Sequence, residues 1–271
     1  MEFPRARQRL HHLTQNHTFD LAEAALCIAQ EEYPDLEIET YLTTLDSMAA
    51  EIRMRLPDVA YPLRVIQALN SYLFDELGYV GNQKNYYDPR NSFLNDVIDR
   101  RMGIPLTLSL VYLEIARRID FSMVGVNFPG HFLIRPERDD IDFHVDPFNR
   151  GDVLFAQDCE NRLTQLYGQP LELEARFIQT VTPQQFLTRM LMNLKQIYLH
   201  LKQLEKGLAV SERIILINPQ SEELRDRGLL YYQLGHWAAA RQDFTDYLAL
   251  YPLSKDKSLI NQLLDQMDKG V

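Results

Sequence analysis

The chain has 271 residues, 46% of them hydrophobic and 24% charged, which is enough for a sizeable core and more than one compact unit and excludes wholesale disorder. Its formal net charge of −10, with no long basic stripe, argues against nucleic acid as a direct partner, because the phosphate backbone would repel it. No apolar run is long enough to span a membrane. The two cysteines, Cys27 and Cys159, lack CxxC spacing, so neither a disulfide framework nor a metal site is expected, no cofactor is expected, and a reducing cytoplasm is the expected compartment.

Residues 1–17 read as a polar, basic N-terminal arm: Arg5, Arg7, Arg9, His11 and His12 cluster there without an apolar signal region, which suggests a solvated tail. The stretch "TFDLAEAALCIAQEEYP" then reads as a helix, with Asp20 and Glu23 in a capping-box pattern and Leu21, Ala24, Ala25 and Ile28 facing a core. Amphipathic helices follow in "IETYLTTLDSMAAEIRMRL" and "PLRVIQALNSYLFDELGY", the latter closed by Gly78. A loop rich in Asn and Tyr leads to a short helix, expected to be capped by Asn91 or Ser92 and ended by Gly103. "LTLSLVYLEIARRI", opening near Pro105, is apolar on nearly all sides and therefore reads as a central buried helix.

From Ser122 the period changes from helical to alternating, and "SMVGVNF", "HFLIR" and "DFHVD" read as short strands. Helices followed by strands imply an α+β domain. Alternation puts His131, Leu133 and Arg135 on one face of the second strand and Asp142, His144 and Asp146 on one face of the third. An antiparallel hairpin closed around Arg138 and Asp139, with Arg135 opposite Asp142, would set His131 opposite Asp146. Such a pair is either the orienting half of a catalytic triad or a structural hydrogen bond. A metal reading of His131, His144, Asp142 and Asp146 fits no strong ligand spacing.

Near Pro183 the pattern turns helical and stays so. "LRDRGLLYYQLGHWAAARQDFTDYLALYP" carries Gly228, Tyr231, Gly235, Trp237, Ala240, Phe244 and Pro252 in the order of a tetratricopeptide repeat. Small Gly228 and Ala240 would allow close helix approach, with Tyr231, Trp237 and Phe244 filling the seam. A weaker copy ends at Pro219, and "SLINQLLDQMDK" reads as a capping helix. By the repeat's register, Gln196, His200, Arg225, Leu229 and Tyr232 fall on the surface such repeats use for a protein or peptide partner; packing of the repeats on the core is the alternative.

The set "ELGYVGN", "NYYDPRNSFLNDVI", "RRMGIPLTLSLVYLEIARR", "PGHFLIR" and "DPFNRG" closely resembles the bacterial SirB-type proteins, with their divergent transglutaminase-like core. The resemblance implies a fold related to papain-type proteases: a helical N-terminal part and a buried central helix packed on a small antiparallel sheet over residues 18–180, followed by all-α tetratricopeptide-like hairpins over 181–271. In active members a nucleophilic Cys opens the central helix, and here Pro105 stands at that position. His131 and Asp146 match the remaining catalytic positions. Thr107 and Ser109 carry the nearest hydroxyls, and Thr107 is the candidate substitute nucleophile.

Two functions are therefore expected in competition. The first is a non-catalytic, interacting or regulatory protein. The second is a hydrolase or acyltransferase acting on protein or peptide amides, with His131 as base, Asp146 as orienter and an unidentified nucleophile or activated water. No helix-turn-helix pattern supports direct DNA reading.

Overall fold

The structure, a computed structural model, describes residues 5–16, 18–57, 60–138 and 140–268. Expectations placed on residues 1–4, His17 and Asp139 lie outside it. The chain divides into two compact units, Met1–Leu187 and Thr188–Val271; the sequence reading set the boundary between residues 180 and 181. Among the described residues, no helix is long and apolar enough to cross a membrane.

In the first unit the basic stretch is not a solvated tail. It forms α1 (Arg5–Thr14), which buries Ala6, Arg7, Leu10 and Thr14. Positions 6, 10 and 14 recur every four residues and make a narrow helical stripe that the surrounding charges obscure. Arg7 is spent inside the fold, donating from Nε and NH2 to the Glu31 carboxylate at 3.0 and 2.7 Å.

Helix α2 (Leu21–Gln30) starts as expected, the Asp20 carboxylate accepting from the Glu23 N–H at 2.8 Å. Its small side chains bury it on nearly every side, Ala22 and Ala24 to Ala29 all being inaccessible. Helices α3 (Ile38–Arg53) and α4 (Pro62–Asn70) follow, α4 continuing into a wider π-helical turn over Ser71–Glu76. Gly78, at φ +76°, ends that run in the left-handed conformation only glycine adopts freely.

Two expected helix boundaries are corrected. Helix α5 (Leu94–Arg100) is preceded by Phe93, which gives no side-chain cap, and it ends at left-handed Arg101, φ +52°. Asn91 does not cap because its amide donates to the carbonyls of Asn85 and Tyr86 at 2.8 and 3.2 Å. Gly103 lies instead in β2 (Met102–Gly103), paired in parallel with β1 (Val80–Gly81).

Helix α6 (Pro105–Arg118) is the buried centre, with every residue from Pro105 to Ala116 inaccessible. It packs on α3 and on the sheet strands β3 (Met123–Val126) and β4 (Leu133–Pro136). With β5 (His144–Asp146) and β6 (Asp152–Leu154) these form a four-stranded sheet in the order β3-β4-β5-β6, antiparallel throughout. Helix α7 (Ala156–Tyr167) follows, an element the sequence reading left unassigned. The hairpin register is corrected by two residues: Ile134 pairs with Val145, so Arg135 does not face Asp142. A slip of two keeps every side chain on its expected face.

The second unit holds the end of α8 (Pro183–His200), then α9 (Leu204–Ile217), α10 (Glu223–Gln233), α11 (Trp237–Leu250) and α12 (Lys257–Asp268). The close approach expected at Gly228 is real, since a Cβ there would stand 2.6 Å from the Phe244 ring. Ala240 and Phe244 are fully buried, whereas Trp237 is 47% exposed and does not fill the seam. It stands edge-on to Tyr232 at 5.1 Å instead.

Candidate functional site

The N-terminus of α6 is anchored by the asparagine-rich loop before it. Thr107 Oγ1 donates to the Asn91 carbonyl at 2.7 Å and accepts from the Ile104 N–H at 3.2 Å. Asn91 Oδ1 accepts from the Asn82 amide at 3.1 Å, tying the same loop to β1 and β2. Pro105 suits the first helical position because it has no N–H to leave unpaired there. It also gives that position no nucleophilic atom.

His131 follows the Pro129-Gly130 turn, its own N–H donating to the Phe128 carbonyl at 3.0 Å. Its Nε2 lies 2.9 Å from Asp146 Oδ1. The observed register carries Leu133 opposite Asp146, so His131 meets the acid diagonally, a reach that cross-strand neighbours two residues apart allow. In the neutral ring, an N–H at Nε2 directed to the carboxylate leaves the lone pair on Nδ1, the tautomer a general base requires. The ring of Phe148 meets His131 edge-on at 5.8 Å.

Asp146 is fully buried and heavily satisfied. Oδ1 also accepts from the N–H groups of Phe148 and Asn149 at 3.1 and 3.3 Å. Oδ2 accepts from the Asn149 amide at 2.7 Å and from the Arg162 guanidinium of α7. Burial alone would raise the pKa of Asp146, but the hydrogen bonds from His131, Arg162 and Asn149 outweigh it and hold the acid at about 2. Asp146 is therefore a fixed anion that orients His131.

A second clamp shapes the turn after Asp146. The Asn70 amide donates to the Gly151 carbonyl at 2.7 Å, and Asn70 Oδ1 accepts from the Tyr112 hydroxyl of α6 at 3.0 Å. Beside this turn lies a cleft of ≈ 800 Å³ bordered by Gly81 to Lys84, Met102 and Phe148 to Arg150.

Thr107 is fully buried and its hydroxyl is committed to backbone partners. Ser109 Oγ is buried without a partner. Cys27, in α2, has its thiol pushed up to about 12 by burial. Cys159, in α7, is pushed up to about 11 by burial, and its Sγ lies 4.0 Å from Nδ1 of His144. Burial and nearby Arg135 lower the pKa of His144. Among the described residues, no three His, Cys, Asp or Glu side chains are grouped to hold a metal ion.

In the second unit, Gln196 and His200 lie exposed on α8. Arg225, Leu229 and Tyr232 are instead engaged within the chain. Arg225 donates to Asp256 at 2.5 Å, the Tyr232 hydroxyl meets Gln266 Oε1 at 3.2 Å, and Leu229 packs in one cluster with Leu263, Leu264 and Met267. Helix α12 packs against part of the face that the repeat's register assigned.

Compared with known families, the description "Transglutaminase-like superfamily" matches residues 39–192, more than half the chain. The chain belongs to the transglutaminase-like superfamily. A tetratricopeptide repeat family matches residues 194–265. A UPF0162 protein of Xylella fastidiosa (strain 9a5c) is 40% identical over 90% of this chain and 88% of its own length. UPF0162 protein PA3419 of Pseudomonas aeruginosa is 33% identical over 91% and 90%. Human F-box only protein 21 is 37% identical over 118 residues, 39% of this chain and 19% of its own.

Within this transglutaminase-like core, sequence reasoning missed the groups that hold Asp146. Asn149 was within reach: an Asp followed three residues later by Asn in "DPFN" is a turn in which the acid receives local N–H groups. Arg162 gave no such signal, because it comes from α7; nor did Asn70, which comes from α4 and holds the following turn at Gly151 rather than Asp146 itself.

Proposed function

We propose that this transglutaminase-like protein is non-catalytic and works as a protein-interaction or regulatory module, in a reducing cytoplasm, with a protein or peptide rather than nucleic acid as its partner. One observation carries the reading: Pro105 occupies the first position of the buried central helix, where the family pattern expects the nucleophilic cysteine. Both cysteines of the chain are buried elsewhere, with thiols less acidic than usual. The low pKa a thiolate nucleophile needs is missing from both. The tetratricopeptide match and the resemblance to SirB-type proteins support an interacting role. The exposed face of α8 around Gln196 and His200 is the part of the repeat surface to test first.

The intact His131–Asp146 pair favours a second reading, in which His131 activates water for hydrolysis of a peptide amide. The two separate in one assay: release of ammonia or amine from glutamine-containing peptides by wild type and by His131→Ala. Equal background rates in both support the non-catalytic reading, and a wild-type rate abolished by the substitution overturns it.

A further inference from the structure

The turn joining α2 to α3, the first turn of α3 and the first turn of α5 border an open depression of ≈ 600 Å³ whose lining includes Glu32, Tyr33, Asp35, Glu37, Tyr41 and Asn95. None of these residues belongs to the His131 site. The Tyr33 hydroxyl donates to Asp96 Oδ2 at 2.6 Å and the Tyr41 hydroxyl to Asp99 Oδ2 at 2.7 Å, so both rings are tied back to α5. Asp35 and Glu37 are exposed and carry no side-chain ion pair among the described residues. The nearby cations do not neutralise them: Arg90 donates to Asp88 at 2.8 Å, and Arg100 lies 3.6 Å from the same carboxylate.

A second and independent observation points to a ligand. Asn95 is only 6% exposed, and its Oδ1 is buried without a hydrogen-bond partner. A buried amide oxygen left unpaired is destabilising, and such groups in native proteins call for a donor. The lining therefore combines two carboxylates without an ion pair and two fixed aromatic rings, with the unpaired Asn95 oxygen buried beneath the surface of that lining residue.

We propose that this depression binds an arginine side chain presented by a peptide segment of a partner protein. A guanidinium offers five donors and no acceptor, which matches a site made of carboxylates and an amide oxygen. Its flat cation also stacks on tyrosine, which a lysine ammonium does less well. A bare metal ion fits poorly, since the described residues group no three ligands for one. The chain's net charge of −10 steers a cationic segment toward it. This inference stands whether or not His131 supports chemistry.

The test is an NMR titration of the full ¹⁵N-labelled chain with acetyl-Gly-Arg-Gly-amide, using the citrulline and lysine versions as controls. Saturable shifts are expected in the Asn95 side-chain amide and in the backbone of residues 32–41. Citrulline should bind about tenfold more weakly, and the Asp35→Lys, Glu37→Lys double variant should lose a similar factor. Both of those positions are exposed, so the variant should fold, which circular dichroism checks. Asn95→Leu provides the second arm: it should keep the thermal midpoint and weaken the arginine peptide severalfold. The proposal is overturned by no saturable shift, by shifts mapping elsewhere, or by equal affinity in the charge-reversed variant.

Discussion

Asp146 receives five hydrogen bonds and has no exposed side-chain surface. Its folded pKa of about 2 lies below the ordinary 3.8, so the folded state binds the proton less well than the unfolded chain. The stability this contributes is complete above about pH 4 and is lost as pH falls toward 2, amounting to about 2 kcal/mol. Asp146→Asn should therefore flatten the acid limb of a pH series of urea denaturations and lower stability by about 2–3 kcal/mol at pH 7, because Arg162 and His131 lose their anion. His144 shifts in a different window. Burial lowers its pKa from the ordinary 6.5, so the unfolded chain takes up the proton first and stability declines as pH drops below about 6.5. In the same measurements, His144→Phe should lose less stability than wild type on going from pH 7 to pH 5. At this scale the site was half legible: alternation and the "PGHF" and "DPF" contexts pointed to His131 with Asp146, and the contact survived a register error of two because parity was right. Arg162 was invisible because nothing in its own helix specifies a distant acid.

Single elements owe their positions to a few close approaches. The buried run from Pro105 to Ala116 was readable as a central helix because it is apolar all round. What fixes its neighbours was not, since Tyr112 of α6, Asn70 of α4 and Gly151 of the turn before β6 meet across separate parts of the chain. Gly151 has φ +75°, and a Cβ there would stand 2.0 Å from Asn70 Oδ1. Gly151→Ala thus meets both backbone strain and a clash, and should cost about 2–4 kcal/mol in chemical denaturation. It should also release the turn that follows Asp146, seen as faster amide exchange at Phe148 and Asn149. Helix α1 was misread for the opposite reason. Its buried side includes an arginine beside the stripe, and Arg7 is balanced by Glu31, just past the end of α2, a partner that sequence spacing alone does not connect to it.

Across the whole molecule, the acidic balance is managed by distributing carboxylates over networks of arginine and lysine, and the second unit holds a deeply buried example. Lys195, 2% exposed at its side chain, donates to both oxygens of Glu223 at 2.7 and 2.6 Å and to Asp226 at 2.9 Å. Ser211 donates to Glu223 at 2.6 Å, and Arg225 links Asp226 to Asp256. The chain of charges thus joins α8, α9, α10 and the approach to α12. None of it could be read from the repeat pattern, which records small and aromatic positions and is silent on what lies at the others. Removing one member should cost more than the pair is worth, because an uncompensated carboxylate stays inside. Lys195→Met should therefore destabilise the second unit by about 3–5 kcal/mol, while adding Glu223→Gln should restore part of that loss. The single tryptophan, Trp237, lies in α11, so its fluorescence during urea unfolding of the full chain reports on this unit. A Lys195→Met midpoint equal to that of wild type would mean the buried charges are balanced by partners other than Lys195.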